Sequence, residues 1–354
     1  MSEKYFLGAM TRSGFSTEMG QLMAKRENYT YILKGGPGTG KSSLMKKIAQ
    51  RFEKSGKVTR FYCSSDPDSL DAVYVADKAA IVIDGTAPHI FDPKYPGVCQ
   101  RIVDLGAYWD TDVLKAHTNE ILTAARRNAS LLDRANRYRI ALTNVCEDSK
   151  SCADSCIDSD KLDSFTARFM KKLLPKKGSG KGRLWVRQLS AVTEFGLVTL
   201  TDTLSDYPDV YILEDDCFAC SHRVISAAVK LALDRGYDAI ACPAHVFDNT
   251  VYEHLLIPEA GVALVSRDYL RSIDLENAKP VRLARFYDKQ KMSRYTNRLK
   301  LNKLTARGLC EETCKTIRSA KEAHDELEKY YIAAMDHKKL DKITEKLLNE
   351  IQAE

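Results

Sequence analysis

The sequence predicts an α/β protein of two tandem modules, each a mostly parallel sheet covered by helices and followed by long helices. Three observations predict it. Short β-branched and aromatic runs alternate with helical stretches, the chain repeats itself, and each repeat ends in a long stripe of apolar residues spaced three and four apart.

Within the first repeat, Tyr29 to Leu33 reads as a strand, and a glycine-rich turn follows. Leu44, Ile48 and Phe52 then recur every four residues on a helix. Val58 to Cys63 and Ala79 to Ile83 have the length and composition of buried strands, so a sheet covered on both faces is expected. Leu114, His117, Ile121, Ala124, Asn128, Leu131, Ala135, Tyr138 and Leu142 form the trailing helical stripe. Its counterpart is Ile317, Ala320, His324, Leu327, Tyr331 and Ala334. Such stripes imply helices packed on one another. His117 and His324 lie on them without a second ligand at metal-binding spacing, so packing roles are expected.

The repeat is read from matched segments. "GAMTRSGF" at Gly8 to Phe15 returns as "SAVTEFGL" at Ser190 to Leu197. Tyr31 falls on Tyr211, 180 residues on, and Val75 falls on Ile257, 182 residues on. The expected organisation is a first module over residues 1–145, a linker over 146–182 and a second module over 183–354.

A chain of 354 residues, 44% hydrophobic and 29% charged, is an ordinary globular mixture long enough for two cores. It opens "MSEKYFLGAMTRSGF", without a basic-then-apolar signal pattern, and no apolar run nears the roughly 18 residues that cross a bilayer. A cytoplasmic protein with no membrane partner is expected. Its ten cysteines are then expected to be reduced thiols. The net charge of +6 sets 54 basic against 48 acidic residues, with a local excess in "KKLLPKKGSGKGRLWVRQ", residues 171–188. That run suits a nucleic-acid backbone or a solvated Gly/Ser linker. The linker reading is the plainer one, and the nucleic-acid reading stays open beside it.

The chemistry concentrates at Gly35-Gly36-Pro37-Gly38-Thr39-Gly40-Lys41-Ser42, which satisfies G-x-x-x-x-G-K-[ST] between a strand and a helix. Glycines allow the tight turn and the close approach of backbone to phosphate, and the helix start adds N–H donors and a positive dipole end. The expected nucleotide-binding residues are Gly35, Gly36, Pro37, Gly38, Thr39, Gly40, Lys41, Ser42 and Ser43. Lys41 is expected on the β- and γ-phosphates and Ser42 on Mg²⁺. In "AAIVIDG", Asp84 ends an apolar strand and is the second expected Mg²⁺ ligand. Gly85 follows it, where many ATPases place a glutamate that activates water. Candidates for the base are Asp66, Asp68 and Asp71 in "SSDPDSLD", with Thr86 and His89 in "GTAPH". The same acids suit turns and caps.

With these motifs, nearly the whole chain resembles a bacterial family of ATPases that carry two tandem P-loop modules. The resemblance rests on "GAMTRSGF", "YILKGGPGTGKSSLMKKIA", "CSSDPDSLD", "IVIDGTAPH", "PGVCQRIVDLG" and "AKEAHDELEKYYIAAMD". It implies a P-loop fold in each module and ATP binding through Gly35 to Ser42, and it supplies no substrate.

The second module departs from that pattern. Gly35 and Gly36 become Asp215 and Asp216, while Gly40, Lys41 and Ser42 become Cys220, Ser221 and His222. Asp84 corresponds to Ser266. A carboxylate about 5 Å from a phosphate oxygen costs about 3 kcal/mol at a near-surface dielectric, so no ordinary triphosphate site is expected there. Cys217-Phe218-Ala219-Cys220 forms a C-x-x-C at a helix start, with His222 close by. A redox or metal site would use them, with Cys146, Cys152 and Cys156 as further ligands, but packing is the plainer reading.

The function expected is Mg²⁺-dependent ATP binding and hydrolysis by the first module, with the second structural or regulatory. No N-K-x-D signature favours guanine. Two alternatives share the loop: a nucleotide-dependent scaffold whose long helices report to a protein partner, and a small-molecule phosphotransferase.

Overall fold

The structure is a computed structural model that describes residues 2–87, 89–177 and 180–353. It is mixed α/β, and its contacts divide the chain into two units. Unit 1 comprises Met1–Gly8, Thr17–Ala135 and Lys315–Glu354, and unit 2 comprises Ala9–Ser16 and Asn136–Cys314. Among the described residues no helix is long and apolar enough to cross a membrane.

Unit 1 holds a six-stranded sheet of β1 (Glu3–Phe6), β2 (Tyr29–Lys34), β3 (Val58–Tyr62), β4 (Leu70–Val75), β5 (Ala80–Asp84) and β6 (Gln100–Asp104). Its order is β1-β3-β4-β5-β2-β6. The pairs β1/β3, β5/β2 and β2/β6 are parallel, and β4 runs antiparallel between β3 and β5. Helix α1 (Lys41–Phe52) follows the glycine-rich turn after β2, and its expected stripe of Leu44, Ile48 and Phe52 is buried. These side chains pack with Tyr31, Leu33, Val73 and Val82 on one face of the sheet. Ile32, Ala72, Ile81 and Ile83, from the other face, are also fully buried, as expected of strands covered on both sides.

Unit 2 repeats this plan. Its strands are β7 (Leu184–Val186), β8 (Asp209–Glu214), β9 (Ala239–Pro243), β10 (Tyr252–Ile257), β11 (Val262–Arg267) and β12 (Lys279–Arg282). Read from β7, the order is β7-β9-β10-β11-β8-β12, the arrangement of unit 1 strand for strand. Strand β10 is the antiparallel member, between β9 and β11.

The helices repeat as well. After each sheet come a short helix, α2 (Thr111–Ala116) or α6 (Lys289–Ser293), and a long one, α3 (Thr118–Asp154) or α7 (Thr296–Ala333). A closing helix follows, α4 (Ser159–Leu173) or α8 (His337–Ala353), while α5 (Ala219–Asp234) is the counterpart of α1. Asp110 and Asp288 cap the short helices by accepting N–H bonds from the residues two and three positions on. The two apolar stripes meet inside unit 1, where Ile121 and Ala124 pack on Leu327 and Asn128 donates to the Ala320 carbonyl at 2.8 Å. His117 is exposed, with its ring 5.1 Å from that of Tyr330.

The stretch expected as a linker, 146–182, is different. It continues α3 and then forms α4, because Leu162, Thr166 and Met170 make a buried stripe that packs on α5 within unit 2. Gly178 and Ser179 of the basic run lie outside the described residues. The closing helix α8, expected with the second module, belongs to unit 1, where Leu347 and Ile351 are fully buried in its core.

In unit 2 a buried histidine ties the segment Ala9–Ser16 to the fold. His245 Nδ1 accepts the Val192 N–H at 3.0 Å, and its Nε2–H donates to the Met10 carbonyl at 2.9 Å. Burial pushes its pKa down to about 4, below the ordinary 6.5. A depressed histidine favours folding above its unfolded pKa, and that contribution drains away as pH falls from about 6.5 toward about 4. His245→Gln is expected to flatten this acid limb of the unfolding profile. An unaltered slope between pH 6.5 and 4 in urea titrations would contradict the assignment.

Candidate functional site

The glycine-rich segment of unit 1 and its glycine-free counterpart in unit 2 both sit where a parallel strand ends and a helix begins. In unit 1 the turn needs a left-handed backbone at Gly35, Gly38 and Gly40, with φ of 153°, 67° and 76°, a region that Cβ-bearing residues resist. Lys41, the first residue of α1, folds back over the turn and donates to the carbonyls of Gly35 and Gly36, both at 2.8 Å. Its ammonium also lies 3.6 Å from Asp84 Oδ2. The Ser42 hydroxyl accepts the Leu70 N–H at 3.0 Å, which joins the turn to the start of β4. Ser43 is exposed on α1.

Asp84 ends β5, and its Oδ1 accepts both the Thr86 N–H at 2.8 Å and the Thr86 hydroxyl at 2.5 Å. Beside it lie Asp71, on β4, and His89. Ligand atoms of Asp71, Asp84 and His89 all fall within 4.8 Å of one another. Burial, and then the charge of Asp84, push the Asp71 carboxyl up to about 8. Burial also pushes His89 below its ordinary value. Two carboxylates this close favour a shared cation, and hard oxygen donors suit Mg²⁺.

Of the acids expected as catalytic, Asp66 and Asp68 stay in the turn before β4. Asp66 accepts from the Asp68 N–H at 3.4 Å and the Ser69 hydroxyl at 2.7 Å, and Asp68 is exposed. His89 does join Asp84. Asp71, the third member, lies one residue inside β4, and the signal for it is its counterpart Glu253, which also interrupts an apolar strand.

The equivalent place in unit 2 is filled by the protein itself. Asp215 stands where Gly35 does, and its carboxylate accepts N–H bonds from Cys217 at 3.1 Å and Ser221 at 2.9 Å. The Tyr287 hydroxyl lies 2.9 Å and 3.1 Å from its two oxygens. Phe218 takes the left-handed conformation of Gly38, with φ of 65°. The rest of the turn differs: Asp215 and Cys220 lack the positive φ of Gly35 and Gly40, the helix begins two residues earlier at Ala219, and the Asp215 carboxylate takes up loop amides. In the place of the Asp71, Asp84 and His89 cluster stand Glu253, Ser266 and Arg271. The Arg271 guanidinium pairs with Glu253 and, through Nε, with Asp268 at 2.9 Å. Burial opposes ionisation of Glu253, yet Arg271 and His254 hold its carboxyl well below the usual range.

The C-x-x-C pair does not make a low-pKa redox site. Burial, followed by the charge of Asp215, pushes both Cys217 and Cys220 up to about 12. Burial pushes His222 down to about 3. Among the described residues no trio of Cys, His, Asp and Glu other than Asp71, Asp84 and His89 comes close enough to hold a metal.

No protein-family model, curated protein or solved structure matches the chain.

Asp215→Ala leaves the Cys217 and Ser221 amides buried without their acceptor. It is expected to lower stability by about 1 to 3 kcal/mol, read from the urea midpoint. An unchanged midpoint would show that this carboxylate does not hold the loop.

Proposed function

We propose that unit 1 is a P-loop module that binds Mg-ATP at Gly35 to Ser42 and hydrolyses it, and that unit 2 is a structural partner without a nucleotide of its own. One observation carries this reading: the strand-end acid Asp84 faces the loop lysine at 3.6 Å, beside the second carboxylate, Asp71. A lysine, a hydroxyl and two carboxylates gathered at the carboxyl end of parallel strands suit a phosphate chain with its cation.

In this reading Lys41 exchanges its two loop carbonyls for phosphate oxygens. Ser42, Asp84 and Asp71 would hold Mg²⁺, which would supply positive charge beside the phosphate chain. Thr86 orients Asp84 through its two hydrogen bonds. His89, kept neutral by burial, is the group in the cluster that can take up a proton.

A second reading, a nucleotide-dependent scaffold with slow turnover, is favoured by Gly85, which follows Asp84 where a glutamate would activate water. Mg²⁺-dependent phosphate release separates the two. Lys41→Ala is expected to reduce release from ATP by on the order of 100-fold or more. Equal turnover in wild type and variant would overturn the assignment, and ATP binding without repeated turnover would favour the scaffold.

A further inference from the structure

We infer that Glu328, on helix α7, belongs to the nucleotide site: its carboxylate holds a loop amide needed by phosphate, and nucleotide must displace it. This rests on the nucleotide reading of unit 1. Glu328 comes from the second repeat, in the segment "AKEAHDELEKYY", yet it lies in unit 1.

The contact is direct. Gly38 N–H donates to Glu328 Oε1 at 3.1 Å. That amide is one of the donors with which such a loop cradles phosphate. A carboxylate and a phosphate oxygen cannot share it, because both are anionic acceptors. In unit 2 the Asp215 carboxyl holds other loop amides, those of Cys217 and Ser221, from within its own loop, so each loop holds an acidic side chain. The two differ in permanence. Asp215 is buried with several donors, whereas Glu328 has a third of its side chain exposed and a single loop amide.

The rest of the helix face points the same way. His324 Nε2 lies 3.4 Å from Glu328 Oε1, one turn earlier, and this pairing favours the ionised carboxyl. Lys321, one further turn back, lies 3.8 Å from Asp66. A Cβ added at Gly38 would come within 2.9 Å of the Glu328 carbonyl and of Ile332, so the helix backbone itself rests on the loop. Displacing Glu328 therefore acts on α7, and the helix registers whether the loop holds phosphate.

Equilibrium dialysis of Mg-ATP against wild type, Lys41→Ala, Glu328→Gln and Glu328→Ala tests this. Removing the competing charge is expected to tighten binding on the order of ten-fold in both Glu328 variants. Glutamine keeps the shape and Ala removes the acceptor, so a folding defect in one does not decide the result. Wild-type affinity in both, with binding still dependent on Lys41, would overturn the role of Glu328 alone. Weaker binding in both would make Glu328 a helper of nucleotide and also overturn it. Absence of binding in wild type and both Glu328 variants would remove the nucleotide reading itself.

Discussion

Charge balance at the carboxyl end of the sheet is the constraint on which the rest of the structure depends. A turn of inward-facing amides wants an anion, and a pair of strand-end carboxylates wants a cation. Burying either without its partner costs several kcal/mol. Unit 1 meets them only in part: Lys41 covers the loop carbonyls and reaches toward Asp84, Glu328 takes one amide, and burial, then the charge of Asp84, keeps the Asp71 carboxyl raised. Unit 2 satisfies both from its own chain, with Asp215 as the anion and Arg271 as the cation.

The duplication explains why the two solutions are comparable. Six strands in one order, a helix after the second-listed strand of each unit and the trailing helices occur twice. The sheet has thus been retained in unit 2 while the loop after its second strand has changed, with its helix starting two residues earlier. Phe218 keeps the left-handed φ of Gly38, and a phenylalanine there carries strain that surrounding packing must offset. It packs against Phe247 and Tyr269.

Much of this was legible in the sequence because local chemistry encodes it. The turn after β2, the buried stripe of α1 and the strand ending at Asp84 follow from glycine spacing and hydrophobic period. The antiparallel strand β4 is hidden because "SSDPDS" reads as a turn, and Asp71, a candidate base by sequence, lies inside that strand. The packing of α8 into unit 1 and of α4 into unit 2 was hidden for another reason. An amphipathic stripe declares that a face is buried and says nothing about which core receives it. Glu328 and Arg271 share that opacity: 290 residues separate Glu328 from Gly38. The position-by-position match of Asp71, Asp84 and His89 to Glu253, Ser266 and Arg271 was available in the repeat, and its meaning needed the geometry.

The most direct test of the account is the stoichiometry of Mg-ATP binding, measured by calorimetry on the full chain. The account predicts one nucleotide per chain, lost on Lys41→Ala. Two per chain would contradict the self-filled second loop, and none would contradict the reading of the first.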